Sequence, residues 1–340
     1  MVERARAVFL GLVLLLMLGL FGATVPTPFV AVGRGPTFDT LGAVEGKPVV
    51  AVHDLPTYPT TGHLNMTTVG VTSGLTAAQV LGMWLTRDRQ VLPRSVLVPP
   101  GETEEQAQAR NARLFTDSQI SAEGAALTHL GLPVAVYVGG VLAGSAADGV
   151  LQRGDVLVAI AGRPVSTLAD LRAALSATRP GEQATLTIRR GDAEPHDVTL
   201  TLGSLPDAPQ GALGILPAAR PLRDDEIVIS LGDVGGPSAG LMFALAIVDK
   251  LTPGDLTGGR FVAGTGTIDS AGTVGEIEGI RFKMLAAREA GATVFLVPDG
   301  NCAEARTEVP DGLQTVRVSD LAGAVAALDE IRAGGTPPAC

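Results

Sequence analysis

Apolar residues follow three rhythms along this chain. The first is a solid run. Residues 7–25 (AVFLGLVLLLMLGLFGATV) carry no charge, follow Arg4 and Arg6, and end at Pro26. Such a run fits the ~20 residues that cross a ~30 Å hydrocarbon core as a helix. Basic residues ahead of it favour a cytoplasmic N-terminal side. A cleaved secretory signal is the alternative, but the run exceeds the usual ~7–15-residue core and no A-x-A site follows. Both export the rest of the chain, and the uncleaved anchor is the better match. The second rhythm has period two, with some short unbroken apolar runs, and predicts strands at 49–52, 64–71, 134–138, 183–189, 197–202, 226–231, 261–268, 272–277, 293–297 and 315–318. The third has helical period, at 75–85, 102–130 (punctuated at Thr116-Asp117-Ser118), 167–177, 239–248, 279–291 and 321–331. The 239–248 segment is apolar all round, which predicts a buried helix. Residues 26–48, rich in Pro, Gly and Thr, read as a stalk.

With 340 residues, two soluble domains are a fair expectation. The net charge of −10 speaks against a nucleic-acid partner, which calls for a basic surface. The four histidines and two cysteines show no metal-ligand spacing, so no metal and no cofactor is expected. Cys302 and Cys340 are either a disulfide, if the soluble part is exported, or two free thiols.

Composition also singles out a residue. The basic residues are arginines except for Lys47, Lys250 and Lys283. Arginine stays charged in any surroundings, whereas a buried lysine can lose its proton and act as a base. Upstream of Lys283 lies Gly235-Gly236-Pro237-Ser238-Ala239-Gly240, between a strand and the buried helix. A serine there stands at a helix N-terminus, where backbone N–H groups can hold an oxyanion. Serine is also a common helix N-cap, so the hexapeptide alone leaves both roles open.

Two resemblances add to this. The segment VLAGSAADGVLQRGDVLVAIAGRPVSTLADLRAAL, carried by Gly144-Ser145-Ala146-Ala147, Arg153-Gly154-Asp155 and residues 160–165, resembles a bacterial PDZ domain over residues 130–206. That resemblance implies a small open β-barrel binding an extended peptide or C-terminus at a sheet edge. By analogy the carboxylate loop precedes the 134–138 strand and involves Gly131, Leu132, Pro133 and Val134, although it departs from the Gly-Leu-Gly-Phe form. Residues 225–300, through GGPSAG and GTGTIDSAGTVGEIEGIRFKMLAAREAGATVFLVP, resemble the proteolytic domain of Lon proteases. This implies a Ser-Lys peptidase with Ser238 as nucleophile, Lys283 as base and Thr265 in support, the oxyanion being held by backbone near Gly236, Pro237 and Ala239. Arg281-Phe282 departs from the family's Lys-Glu, and Asp233 lies further upstream of the serine than the family's acidic residue, so its role stays open.

The fold class expected is mixed α+β: anchor (1–31), a region packing with the protease (32–129), PDZ-like barrel (130–206), Lon-type α/β domain (207–332) and tail (333–340). No GxxxxGK[ST] loop occurs, so the expectation is an ATP-independent, single-pass serine endopeptidase of the cell membrane with its soluble part extracytoplasmic. Protein or peptide substrates are the expected partners, and the Lon resemblance implies a homo-hexamer. Neither HExxH nor GNSGG occurs, which excludes the metalloprotease and HtrA-type alternatives. A non-catalytic PDZ scaffold is the alternative of a different class.

Overall fold

The computed structural model describes residues 2–86, 89–205, 208–222, 226–232 and 234–340; Asp233 lies outside them. The chain opens with helix α1 (Val2–Thr24), whose side chains are described from Phe9 onward and at Arg6. Among the described residues no helix is long and apolar enough to cross a membrane.

The stalk expected at 26–48 is instead largely structured. Phe29–Asp39 forms strand β1, with Val30, Ala31 and Val32 buried. Its Pro36 falls where the register shifts between Arg34 and Thr37, a bulge that tolerates the missing N–H. The proline and glycines that made this stretch read as a stalk are therefore strand irregularities. Next come β2 (Val50–Val52), β3 (His63–Thr72), helix α2 (Ala77–Thr86) and β4 (Gln90–Pro93). Helix α3 (Glu104–His129) runs unbroken through the expected punctuation. A Thr103–Gln106 capping box starts it, and the Thr116 hydroxyl donates to the Ala112 carbonyl within it.

The next unit is antiparallel: β5 (Ala135–Val141), β6 (Val156–Ile160), helix α4 (Leu168–Ser176), β7 (Gln183–Arg189) and β8 (His196–Thr201). Strand β9 (Ile215–Arg220) joins the same sheet by pairing with β5, so the order is β8-β7-β6-β5-β9 and the sheet continues past residue 206. Asp155, 1 % exposed, receives two hydrogen bonds from Arg190 at 2.7 and 2.8 Å and ties the β6 entry to the end of β7.

Strand β10 (Ile227–Ile229) returns to pair with β2. There follow α5 (Gly240–Leu251), β11 (Phe261–Gly264), the hairpin β12 (Thr267–Ile268) and β13 (Val274–Gly275), α6 (Ile280–Ala290), β14 (Val294–Pro298), β15 (Gln314–Val318) and α7 (Leu321–Arg332). The main sheet has the order β15-β14-β11-β3-β1-β4. Strands from before and after the barrel thus share one sheet, with β11 parallel to β3, and the barrel is an insertion. Residues 240–249 of α5 are all buried, as an apolar-all-round segment requires, and Phe243 meets Phe115 of α3 edge-on at 5.7 Å. Cys302 and Cys340 are joined as a disulfide, and Arg317 N–H donates to Pro338 O beside it.

Candidate active site and peptide edge

The turn carrying Ser238 is held from three sides. Gly236, at φ +90°, donates its N–H to the carbonyl of Asn111 at 3.0 Å. The Ser118 hydroxyl donates to Pro237 O at 3.0 Å. Ser238 O accepts from Thr265 Oγ1 at 3.0 Å and from Gly266 N–H at 2.9 Å. Ser238 is not the helix cap, because Ala239 occupies the N-cap with no side-chain cap bond. The serine hydroxyl is thereby left for other work. Gly240 is needed here, since a Cβ would come 2.8 Å from both Ser118 Oγ and Ile268 Cγ2.

Helix α6 begins after Gly279, in the left-handed region at φ +72°, and delivers Lys283 from its first turn. Ile280, Met284 and Ala287 pack into the core, and Lys283 beside them is 2 % exposed. Its Nζ donates to Ser238 Oγ at 2.8 Å and to Thr265 Oγ1 at 2.9 Å. Burial lowers the lysine pKa from its ordinary value to about 7, against a smaller opposing pull from Glu278. Next to Ser238 opens a cleft of about 270 Å³ lined by Phe38, Met66, Val69, Val234 and Gly236.

Ser238, Lys283 and Thr265, all singled out in the sequence, therefore meet in one place. The oxyanion group needs correction. Pro237 has no N–H, and the Gly236 N–H is committed to Asn111. Among the described residues no acceptor takes the N–H of Ser238 or Ala239, which leaves these two as donors. Of the two residues that grip the turn from α3, Ser118 enters the sequence reading only as part of the Thr116-Asp117-Ser118 punctuation and Asn111 not at all, because they lie far upstream in a polar helix.

The other expected site is also corrected. Gly131 N–H donates to Thr128 O at 3.1 Å and Leu132 N–H to Leu127 O at 2.9 Å, which is a Schellman cap closing α3. Val134 is buried, and Pro133 has no N–H to offer. Gly131 and Leu132 thus have their donors spent, and the loop sits at the negative end of a helix, where a carboxylate is repelled. Strand β5, which follows them, is flanked by β6 and β9, so the free edge at this end of the sheet belongs to β9. Helix α4 stands beside that strand. The lead-in, Leu213-Gly214-Ile215 with Gly214 at φ +75°, fits the Gly-Leu-Gly-Phe form better than residues 131–134 do. That was the readable signal.

Comparison with known proteins bears on both units. Residues 137–190 match the PDZ domain family model, and residues 231–330 match that of the Lon protease (S16) C-terminal proteolytic domain. The chain carries a PDZ domain and a Lon-type proteolytic domain. The Lon-type domain includes Ser238, Thr265 and Lys283; the PDZ domain lies within the inserted barrel. The Lon protease of Roseiflexus castenholzii is 35 % identical over 135 residues, covering 39 % of this chain and 16 % of that protein. The Lon protease of Clostridioides difficile is 38 % identical over 79 residues, covering 23 % of this chain and 10 % of that protein. The chain thus spans only about a tenth to a sixth of these curated relatives. Among solved structures, the PDZ domain of the SdrC-like protein from Listeria monocytogenes is 20 % identical, with 24 % of this chain and 86 % of that one covered and a TM-score of 0.23. GtR34C from Geobacillus thermodenitrificans is 32 % identical, with 24 % and 94 % covered and a TM-score of 0.22.

Proposed function

We propose that this chain is a membrane-anchored serine endopeptidase in which Ser238 is the nucleophile and Lys283 the general base. One observation carries the reading: a buried amine whose hydrogen bonds, among the described residues, go to two hydroxyls and to no carboxylate. Burying a lysine without a counter-ion favours its neutral form. As a free amine, Lys283 keeps a hydrogen bond to Thr265 and turns its lone pair to the Ser238 hydroxyl.

The steps follow. Lys283 Nζ takes the Ser238 proton while Oγ bonds to the carbonyl carbon of the scissile peptide. The resulting oxyanion is held by the N–H groups of Ser238 and Ala239, at the positive end of α5. Lys283 then gives the proton to the departing amine as the C–N bond breaks. Water attacks the ester with Lys283 again as base, and the acid product leaves with Ser238 restored. The lining of the cleft beside Ser238 favours an apolar substrate side chain there. No step in this sequence calls for ATP.

In this reading the PDZ domain recruits extended segments by adding them as a strand to β9. The membrane anchor is residues 7–25. Its support is that the large side chains of α1 stand outside any core, with Phe9 67 % and Leu16 73 % exposed. Water disfavours such a surface and a bilayer does not. A serine-reactive fluorophosphonate probe tests the enzyme reading. Labelling at Ser238 that is lost in Lys283→Ala supports it; labelling unaffected by that change, or absent at every pH from 6 to 10, favours the scaffold.

A further inference from the structure

Helix α2 has an apolar sequence, AAQVLGMWLT, and not one buried residue. Val80 and Met83 are half-buried on the side that meets β1 and β4. Leu81, Trp84 and Leu85 point away, 57 %, 70 % and 69 % exposed. Their i, i+3, i+4 spacing puts them on one face. No charged residue interrupts the helix. A face of this kind has an occupant, and the position of α2 says which.

The helix starts where α1 ends. Thr27 donates to Leu75 O through both its N–H and its hydroxyl, at 2.7 Å each, and Pro26 is bridged to Thr76. A Cβ at Gly22 would lie 4.0 Å from that of Ala77, so the last turn of α1 and the first turn of α2 are in contact. The outward stripe of α2 therefore begins against the end of α1 and continues its apolar surface. At ten residues α2 is only ~15 Å long, too short to span a bilayer and long enough to lie along its surface.

We infer that α2 is an interfacial helix, with Leu81, Trp84 and Leu85 set into the headgroup–acyl boundary of a lipid bilayer on the extracytoplasmic side. Tryptophan is enriched at that depth, where its apolar body and polar N–H meet matching surroundings. The inference rests on the anchor reading above. A second copy of the chain is the rival occupant, but nothing would then require the stripe to begin at the point where the anchor ends. The contact has a consequence for the enzyme. Trp84 and Leu85 share a cleft with Gly279, Arg281 and Phe282 at the start of α6, so lipid at α2 brings the Lys283 helix close to the bilayer surface.

Trp84 is the chain's single tryptophan and serves as its own probe. The full chain is reconstituted into phosphatidylcholine–phosphatidylglycerol vesicles, with flotation reporting the anchor and tryptophan emission reporting α2. The expected result is flotation with blue-shifted emission, quenched about twofold or more by a shallow doxyl-labelled lipid and less by a deep one. A Leu81→Glu, Leu85→Glu double variant should float equally well yet lose the quenching. Flotation with Trp84 unquenched overturns the inference and leaves the anchor standing; failure to float overturns both. A blue shift without quenching that grows with protein density assigns the face to a second copy and also overturns the inference.

Discussion

The sequence offers two glycine-containing turns as candidates to hold an anion on backbone N–H groups, and they differ in which groups they leave free. The 235–238 turn enters a helix; the 131–134 turn leaves one. At the entrance of α5 the first N–H groups have no intrahelical acceptor, and among the described residues nothing takes those of Ser238 and Ala239. At the exit of α3 it is the carbonyls that lack partners, and the N–H groups of Gly131 and Leu132 turn back to satisfy them. Glycine and chain reversal are common to both. The direction in which the helix runs decides which can face a negative charge.

The largest effects should come from the entrance turn. Ser238→Ala and Lys283→Ala should each lower kcat/KM for a peptide substrate by at least ~10³-fold with the fold intact by circular dichroism. Lys283→Arg should be as inactive, because a guanidinium does not give up its proton. A retained rate in any of the three would remove the basis for contrasting the turns.

The next effect is on pH. The neutral amine is the base, so kcat/KM should rise with pH through about 7, the value to which burial lowers Lys283. Stability has its own sign. The folded-state value lies below the ~10.4 of an unfolded lysine, so between about 7 and ~10.4 the unfolded chain binds more protons and stability from this group rises with pH. Lys283→Met should accordingly raise the melting temperature near neutral pH while abolishing activity, read by calorimetry beside the activity assay.

Ser118→Ala should act more mildly. It frees Pro237 O and loosens the turn, and a ~10–100-fold fall in kcat with KM nearly unchanged is expected. A purely structural role would lower the melting temperature without that split.

At the exit turn, Gly131→Ala should cost about 1 kcal/mol by forcing a side chain into the left-handed region, yet leave peptide binding to the PDZ domain unaltered. Disrupting the β9 edge with Leu216→Pro should weaken that binding instead. Calorimetric titration with extended peptides distinguishes the two, and the reverse outcome would restore residues 131–134 as the binding loop.

Much of the C-terminal unit was legible in the sequence, because its signals are local. The solid apolar run follows from spacing along α5, and the stop at Gly291 and the place of Lys283 beside Ile280 and Met284 follow from spacing along α6. The insertion was legible only through resemblance, since strand pairing between β3 and β11 joins residues nearly two hundred apart. Strand β1 was missed because Pro36 and its neighbouring glycines read as a stalk, although the bulge they occupy is where a strand accepts them. The grip of Asn111 and Ser118 on the nucleophile turn was illegible for a different reason. Asn111 contributes its backbone carbonyl, and Ser118 a hydroxyl like any other in a polar helix, so their value comes only from what α3 packs against.

That helix also ties the two domains mechanically. Its C-terminal half lies so close to β9 that a methyl group at Gly124 would stand 2.0 Å from the Ala219 carbonyl, and its middle carries Ser118. There is no slack between those points: six residues of helix are a strut of ~9 Å. If a peptide docks on β9 as proposed, any shift of that strand would press on a rod whose other contact is the carbonyl beside Ser238.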